Sequence, residues 1–473
     1  MARGKKKESA LTPEEKLAQA LVPVEEQPYK VPENWQYVFL SGATTRIKRG
    51  KAPKYVESSD YPVFAQKCNQ KDGTISIAKA QFLNPALVER LDDEEFLRDN
   101  DVVINSTGTG TLGRVGFYKS EYAFPYKKVL PDSHVTVVRA EKFVLPQYLF
   151  FFLKNTQDYL ELQGVGSTNQ KELRPETIGA QCFPLPPIAE QQRIVDRIEY
   201  LFSKLDEAKE KAQSVLDSFE TRKAAILHEA FIGELTAKWR MENGATLENI
   251  EKVPLGKLTR IVSSKRIYKE EYVETGVPFF RSSEIVELHD YGMTTPEFFI
   301  SRQRYEEIKK QYGVPSAGDL LVTSVGTIGK TWIVDGREFY YKDGNLTQVM
   351  QCESLDMKYL QYFIKSEFFK QQVSDTVAGS AYNALTIVKF KKILIPLVGL
   401  AEQAEIVRIL DSLFAKEQQA KEAAEAVLEK IDLLKKSILA RAFRGELGTN
   451  DPSEESALEL LKTILLQEVR YDL

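Results

Sequence analysis

The chain has 473 residues, of which 43% are hydrophobic and 28% charged, and a net charge of -4. That length exceeds a single ordinary core, so two or more globular domains are expected. No apolar run is long enough to span a bilayer, and three scattered cysteines (Cys68, Cys182, Cys352) and three scattered histidines supply neither a disulfide framework nor a metal-ligand spacing.

Residues 1–34 read as an N-terminal helical segment. Lys5, Lys6 and Lys7 have no apolar run behind them, so no secretory signal is expected, and with the sparse cysteines the expected location is cytoplasmic. Thr12-Pro13-Glu14-Glu15 is a capping box with proline in the first turn, leading into Leu17 and Leu21.

Residues 35–186 show aromatic and β-branched runs broken by glycine and proline, the pattern of twisted strands and tight turns, with a short helix at Tyr148–Lys154. Near the start, Arg46, Lys48, Arg49, Lys51 and Lys54 precede any acidic residue of the domain, a local charge suited to DNA phosphates. Gln66, Lys67 and Asn69 carry groups able to reach base edges. The stretch "STGTGTLGRVGFY" (residues 106–118) contains Gly108-x-Gly110-x-x-Gly113, the letters of a dinucleotide loop. Such a loop must open a helix, yet Arg114-Val115-Gly116-Phe117-Tyr118 is strand-like. The spacing therefore predicts a strand–turn–strand corner, with Arg114 a candidate phosphate contact.

From Ile194 the apolar positions step by four and three through Ile198, Leu201, Leu205, Ala208, Ala212, Val215 and Phe219, a heptad seam. Residues 187–235 read as a spacer helix closed by Gly233, with about 43 helical residues making a rod of roughly 64 Å at 1.5 Å per residue. A linker (236–252) leads to a second domain at 253–397. There Arg260, Lys265, Arg266 and Lys269 repeat the early basic run, and Arg281-Ser282-Ser283-Glu284 could read bases. Gly329-Lys330-Thr331 resembles the end of a P-loop, but Ser324 stands where that motif needs glycine and a strand-like "TWIV" follows. Lys330 is the counterpart of Arg114. A second helix at 398–448 runs through Ile406, Leu410, Leu413, Ala420, Ala424, Val427 and Ile431, with one polar break at Glu417. The tail, 449–473, carries Ser453 and then Leu458, Leu461 and Leu465 at helical spacing.

These elements form a tandem repeat. "FPLPPIAEQQRIVDRIEYLFSK" from Phe183 matches "IPLVGLAEQAEIVRILDSLFAK" from Ile395, and "AFIGEL" (Ala230–Leu235) matches "AFRGEL" (Ala442–Leu447) at the same displacement. "YLFFFLK" echoes "YLQYFIK", and Asp101 and Asp319 open the two glycine-corner strands. Two variable domains of about 145 residues, a usual domain size, thus alternate with helices of fixed length. The expected fold class is α+β: two mixed α/β recognition domains separated by two long helices packed as an antiparallel coiled coil, with internal pseudo-two-fold symmetry.

Catalytic patterns are missing. Asn84-Pro85 continues as Ala-Leu rather than as an amino-methyltransferase motif, there is no complete P-loop and no His-Glu-x-x-His, and Asp92-Asp93 lies in charged sequence. No catalytic or metal-ligating residue is assigned.

Two variable domains, each followed by a "PLPPIAEQ…F.GEL" helix, resemble the specificity subunit of a Type I restriction–modification enzyme. The resemblance spans nearly the whole chain and rests on Pro184–Val195, its copy Pro396–Val407, both "AF.GEL" endings and Gly318–Lys330. The copy departs at Val398-Gly399, where the first has Pro186-Pro187. The resemblance implies target recognition domains that each read half of a split double-stranded DNA site, and helices that space them. It also implies a subunit that is not itself an enzyme and binds no cofactor. Two methyltransferase subunits with S-adenosylmethionine, and restriction subunits with ATP and Mg, are the implied partners, with no membrane. Ile194, Ile198, Leu201, Leu205, Ile406, Leu410, Leu413 and Ile431 are the seam and subunit-docking candidates. The competing readings are an enzyme using the Gly108 loop, and a non-catalytic coiled-coil scaffold of another DNA-modification or defence complex.

Overall fold

The computed structural model describes residues 12–70, 74–108, 110–166, 171–245, 250–377 and 384–463. The lysines at 5–7 and Leu465 lie outside them. The chain forms two compact units, Met1–Glu210 with Val427–Leu473, and Lys211–Ala426, so each long helix contributes to both.

In the first unit, helix α1 (Pro13–Ala20) opens on the expected capping box: Thr12 Oγ1 accepts from Glu15 N at 3.2 Å and Glu15 Oε2 accepts from Thr12 N at 2.9 Å. Among the described residues ten strands follow: β1 (Gln36–Phe39), β2 (Thr44–Arg49), β3 (Tyr55–Val56), β4 (Pro62–Phe64), β5 (Gln81–Leu83), β6 (Val102–Asn105), β7 (Val115–Phe117), β8 (Leu130–Pro131), β9 (Val135–Ala140) and β10 (Cys182–Leu185). They build a four-stranded sheet in the order β2-β9-β6-β7, a smaller sheet β3-β5-β4-β8, and a ribbon β1-β10 that joins the ends of the domain. The strand β6 is buried throughout because both its faces are covered. Val102 and Ile104 enter the cluster with Leu149 and Phe152, while Val103 enters another with Phe64 and Val137, as alternation across a strand requires. Helices α2 (Pro146–Asn155), α3 (Gln157–Leu162) and α4 (Pro175–Gly179) come before the long helix α5 (Ile188–Ile232).

The second unit repeats the framework. After α6 (Ala237–Glu242) come β11 (Glu251–Pro254), α7 (Leu255–Leu258), β12 (Ile261–Val262), β13 (Tyr272–Val273), β14 (Val277–Phe280), α8 (Ser282–Tyr291), β15 (Phe298–Ile300), α9 (Arg302–Gln311), β16 (Leu320–Thr323), β17 (Thr331–Ile333), β18 (Tyr340–Tyr341) and β19 (Leu346–Val349). Helices α10 (Met357–Lys365), α11 (Glu367–Val377) and α12 (Ile387–Lys392), the strand β20 (Leu394–Leu397) and the long helix α13 (Leu400–Phe443) complete it. The sheets are β12-β19-β16-β17, β13-β15-β14-β18 and β11-β20, the first unit's orders strand for strand. The connections differ. Between β14 and β15 stands the helix α8, where the first domain has a short 3-10 turn at Gln66–Cys68.

Within each unit the two long helices run antiparallel. In the first, Ile194 and Ile198 share a core with Leu439, Ala442 and Phe443, and Lys435 reaches Asp206 at 2.6 Å. In the second, Leu227 and Phe231 share a core with Ile406 and Leu410, and Arg222 meets Glu417 at 2.8 Å. Leu201, Leu205 and Leu413 are half-buried and Ile431 is buried. The first turns of each seam are also part of the neighbouring domain's core, which the heptad pattern alone did not distinguish from helix-on-helix contact. Residues 457–463 are helical, with Ala457 and Leu461 buried against the first domain.

Candidate nucleic-acid interface

The repeated "AEQ" letters join each domain to its long helix. Gln191 is fully buried; its Nε2 donates to the carbonyls of Phe143 (3.0 Å) and Pro186 (3.1 Å), and its Oε1 accepts from Leu145 N (2.8 Å). Gln403 does the same with Ser354 (3.1 Å), Val398 (2.8 Å) and Asp356 N (2.8 Å). Tyr148 Oη donates to the Pro184 carbonyl at 2.8 Å and Tyr359 Oη to that of Pro396 at 2.6 Å. Only a side chain that both donates and accepts satisfies such buried backbone groups. Each domain is thereby held to its helix in the same way. The preceding glutamates diverge: Glu190 meets Thr449 and Arg193, and Glu402 meets Thr236 and Arg240.

The glycine motif is a corner between antiparallel strands, not a helix start. β6 and β7 pair across it, as do β16 and β17. Gly113 N donates to Asn105 O at 2.8 Å and Gly329 N to Thr323 O at 3.0 Å. Gly113 has φ +75°, and a Cβ there would sit 2.7 Å from Glu161 N, so both conformation and space demand glycine. Asp101 and Asp319, at the feet of these strands, are buried and occupied, the first by Arg139 (2.7 and 2.8 Å), the second by Gln348 (2.7 Å) and two backbone amides.

Of the basic candidates in the first domain, three converge on one carboxylate. Arg46 (3.0 Å), Lys48 (3.2 Å) and Lys51 (3.4 Å) all reach Glu95. Burial works to raise the Glu95 pKa, but the hydrogen bonds from Arg46 and Lys48 and the charges of Arg46 and Lys51 outweigh it and hold the group below its ordinary value. Arg46 is almost buried, which takes it out of the set of surface cations. Lys48 and Lys51 have exposed side chains whose ammonium groups reach Glu95 from the surface. Arg49 is turned inward to Glu172 and to the carbonyl of Leu173 (2.7 Å). Lys54 and Lys67 are exposed.

The structure brings the Gln66–Asn69 turn against the glycine corner, two stretches separated by some forty positions. Gln66 bonds Thr107, and Thr107 bonds His134 at 2.8 Å. Asn69 is no base reader: it is completely buried, and its amide nitrogen donates to the Arg114 carbonyl at 2.9 Å. Arg114 donates back to the Asn69 carbonyl at 2.7 Å, so its guanidinium is committed to holding the turn.

The second domain treats its cations differently. Arg266 pairs with Asp343 (2.8 Å), Lys330 with Asp290 (2.5 Å), and Arg281 with Glu284 (2.8 Å) and Glu297 (2.7 Å). Arg281 and Glu284 cap α8, and Glu284 is buried, so this tetrapeptide serves the helix start. Lys265 is exposed, with its ammonium 5.3 Å from the Tyr312 ring centre. Sequence reading could not find Asp343 and Asp290, which lie 77 and 40 positions from their cations, whereas Glu284 stands only three from Arg281.

Two mixed domains share one framework, each locked to the start of a long helix and each differing in its surface connections. The Type I restriction modification DNA specificity domain matches the chain twice, at residues 32–216 and 248–430, and the chain belongs to that family. It is 25% identical to the EcoKI specificity subunit of Escherichia coli K12 over 94% of this chain and 96% of the relative. It is 27% identical to the EcoBI specificity subunit of Escherichia coli (81% and 87%) and 24% identical to the MjaVIII specificity subunit of Methanocaldococcus jannaschii (85% and 92%). Its fold is similar to that of the HsdS subunit from Thermoanaerobacter tengcongensis, with a TM-score of 0.64 and 21% identity, covering 90% of this chain and 100% of that one. It is also similar to a chain from a structure of type I R-M complex assembly and conformational transition, with a TM-score of 0.57, 22% identity, and 89% and 100% covered. Among the described residues no helix is long and apolar enough to cross a membrane.

Proposed function

We propose that this chain is the non-catalytic, cytoplasmic subunit that gives a Type I restriction–modification complex its DNA sequence specificity. Each recognition domain reads one half of an asymmetric bipartite site in double-stranded DNA. The long helices set the gap and dock two methyltransferase subunits, and restriction subunits join that assembly. S-adenosylmethionine belongs to the methyltransferase, and ATP with Mg to the restriction subunit.

The observation that carries this reading is the double occurrence of the specificity domain on one strand framework with unlike connections. Identical frameworks present a DNA-reading surface in the same way twice. Unlike surfaces read unlike bases, because phosphate contacts position and base contacts specify. The exposed Lys48 and Lys51 supply salt-dependent phosphate attraction in the first domain.

The test is to co-express the chain with a Type I methyltransferase subunit from the same genome and to map methylated adenines. A split motif with unlike halves and a constant gap is expected. An unchanged methylation pattern despite a stable complex would overturn the proposal.

A further inference from the structure

Between β7 and β8 the first domain carries the connection 118–129, where the second needs only 334–339 between β17 and β18. The extra length presents aromatic rings to solvent. Phe124 is 83% exposed and Tyr122 42% exposed. With Tyr126, Phe82, Ile75 and Ile77 they line a groove of about 500 Å³ on the smaller sheet of this domain. Tyr126 lies 5.8 Å from Phe82, ring centre to ring centre.

The segment is held in place. Ser120 N donates to Asp99 at 2.6 Å, Ala123 is fully buried, Tyr126 N donates to Ala123 O at 2.9 Å, and Lys128 pairs with Asp93 at 2.6 Å. A ring that is held outward on a pinned loop is presented for contact, since a contiguous apolar surface on a soluble domain marks an interaction site. The charge around it selects the partner. Lys79, between groove-lining residues, and Lys127, next to Tyr126, are exposed and Lys119 is half-buried, while Glu121, Asp99 and Asp93 are the carboxylates of this connection and its neighbour. Rings between ammonium groups match bases between phosphates: aromatic side chains stack on bases or wedge between base steps while lysines take the backbone.

We infer that the Tyr122–Tyr126 tip is a base-stacking contact of the first recognition domain to duplex DNA, with Phe124 against the bases and Lys127 on phosphates. It rests on the reading of the chain as a DNA-specificity subunit and adds to it a contact that only one of the two domains possesses. The half-site read by the first domain therefore owes part of its affinity to stacking.

The test compares the full chain, assembled with its methyltransferase, as wild type, Phe124→Ala and Phe124→Trp. Binding is measured to a duplex carrying the motif found by methylation mapping of the wild-type complex, and to a scrambled duplex. Phe124→Ala is expected to weaken motif binding about ten- to hundredfold, to weaken scrambled-duplex binding less, to leave thermal unfolding unchanged, and to be largely rescued by Phe124→Trp. Unchanged motif affinity in Phe124→Ala overturns the inference. So does a variant that loses the methyltransferase but keeps its DNA affinity, which would make the tip a protein contact. A wild-type complex that yields no motif sinks the underlying function as well, and is distinguished from the other outcomes by that control.

Discussion

Gln191 and Gln403 show why some residues recur in both halves of the chain. Each spends both ends of its amide on backbone groups at the junction of a domain and its helix. Leucine is similar in volume but leaves two carbonyls and one N–H buried without partners. Gln191→Leu is therefore expected to destabilise the first unit by roughly 1–3 kcal/mol, read as a lower urea midpoint, with Gln403→Leu acting likewise on the second. A midpoint that does not move would show that the junction tolerates unsatisfied groups. The glycine corner follows similar logic, since Gly113 and Gly329 both have positive φ (+75° and +91°). The cations behave oppositely. Arg46, Arg49 and Arg114 look alike in sequence to Lys48 and Lys51, yet they are half-buried with their guanidinium groups on Glu95, Glu172 and the Asn69 carbonyl, whereas Lys48 and Lys51 reach Glu95 from exposed side chains.

At the scale of elements, the heptad seams were legible because a helix writes its buried face into its own period. The one break, Glu417, has a local physical explanation. Arg222 Nε donates to it at 2.8 Å, and the same guanidinium reaches back to Ser218 and the Val215 carbonyl on its own helix. A polar pair within an apolar seam adds little stability but disfavours other alignments, because any slip leaves a charge against apolar side chains. The pair is partly solvated, so Glu417→Ala is expected to cost only about 1 kcal/mol or less. Exchanging the two residues, Arg222→Glu with Glu417→Arg, should recover stability that Arg222→Glu alone loses. A double-mutant cycle with no coupling would refute a register role. What the period could not reveal is that Ile194, Ile198, Ile406 and Leu410 also belong to the cores of the neighbouring domains. A helical face records that it is covered, not by what.

For the molecule as a whole, duplication with divergence is the organising fact. The sheet orders match strand for strand, whereas α8 and the 118–129 connection each occur in one half only. If the helices set the gap between half-sites, their length is a ruler. Deleting one heptad from α5 and one from α13 shortens each by about 10 Å, equivalent to about three base pairs at 3.4 Å each. The mapped motif is expected to keep its half-sites with a gap shorter by about that amount, or methylation is expected to fall away while both domains unfold at unchanged temperatures. Methylation at the original gap would show that the helices are not the ruler.

By itself the sequence determined the tandem repeat, the two long amphipathic helices, the Thr12 capping box and the strand–turn–strand character of the glycine corner. Each is written in local periodicity, in turn chemistry, or in two stretches that solve the same burial problem with the same residues. Only the tertiary structure decided which cations remain at the surface, that Asn69 is buried inside the turn it was expected to present, and that Phe124 is held out in solvent. Those outcomes depend on partners from distant parts of the chain, such as Glu95 for Arg46 and Glu172 for Arg49. An ion pair or a covering side chain leaves no period in the sequence, because the chain meets it only after folding.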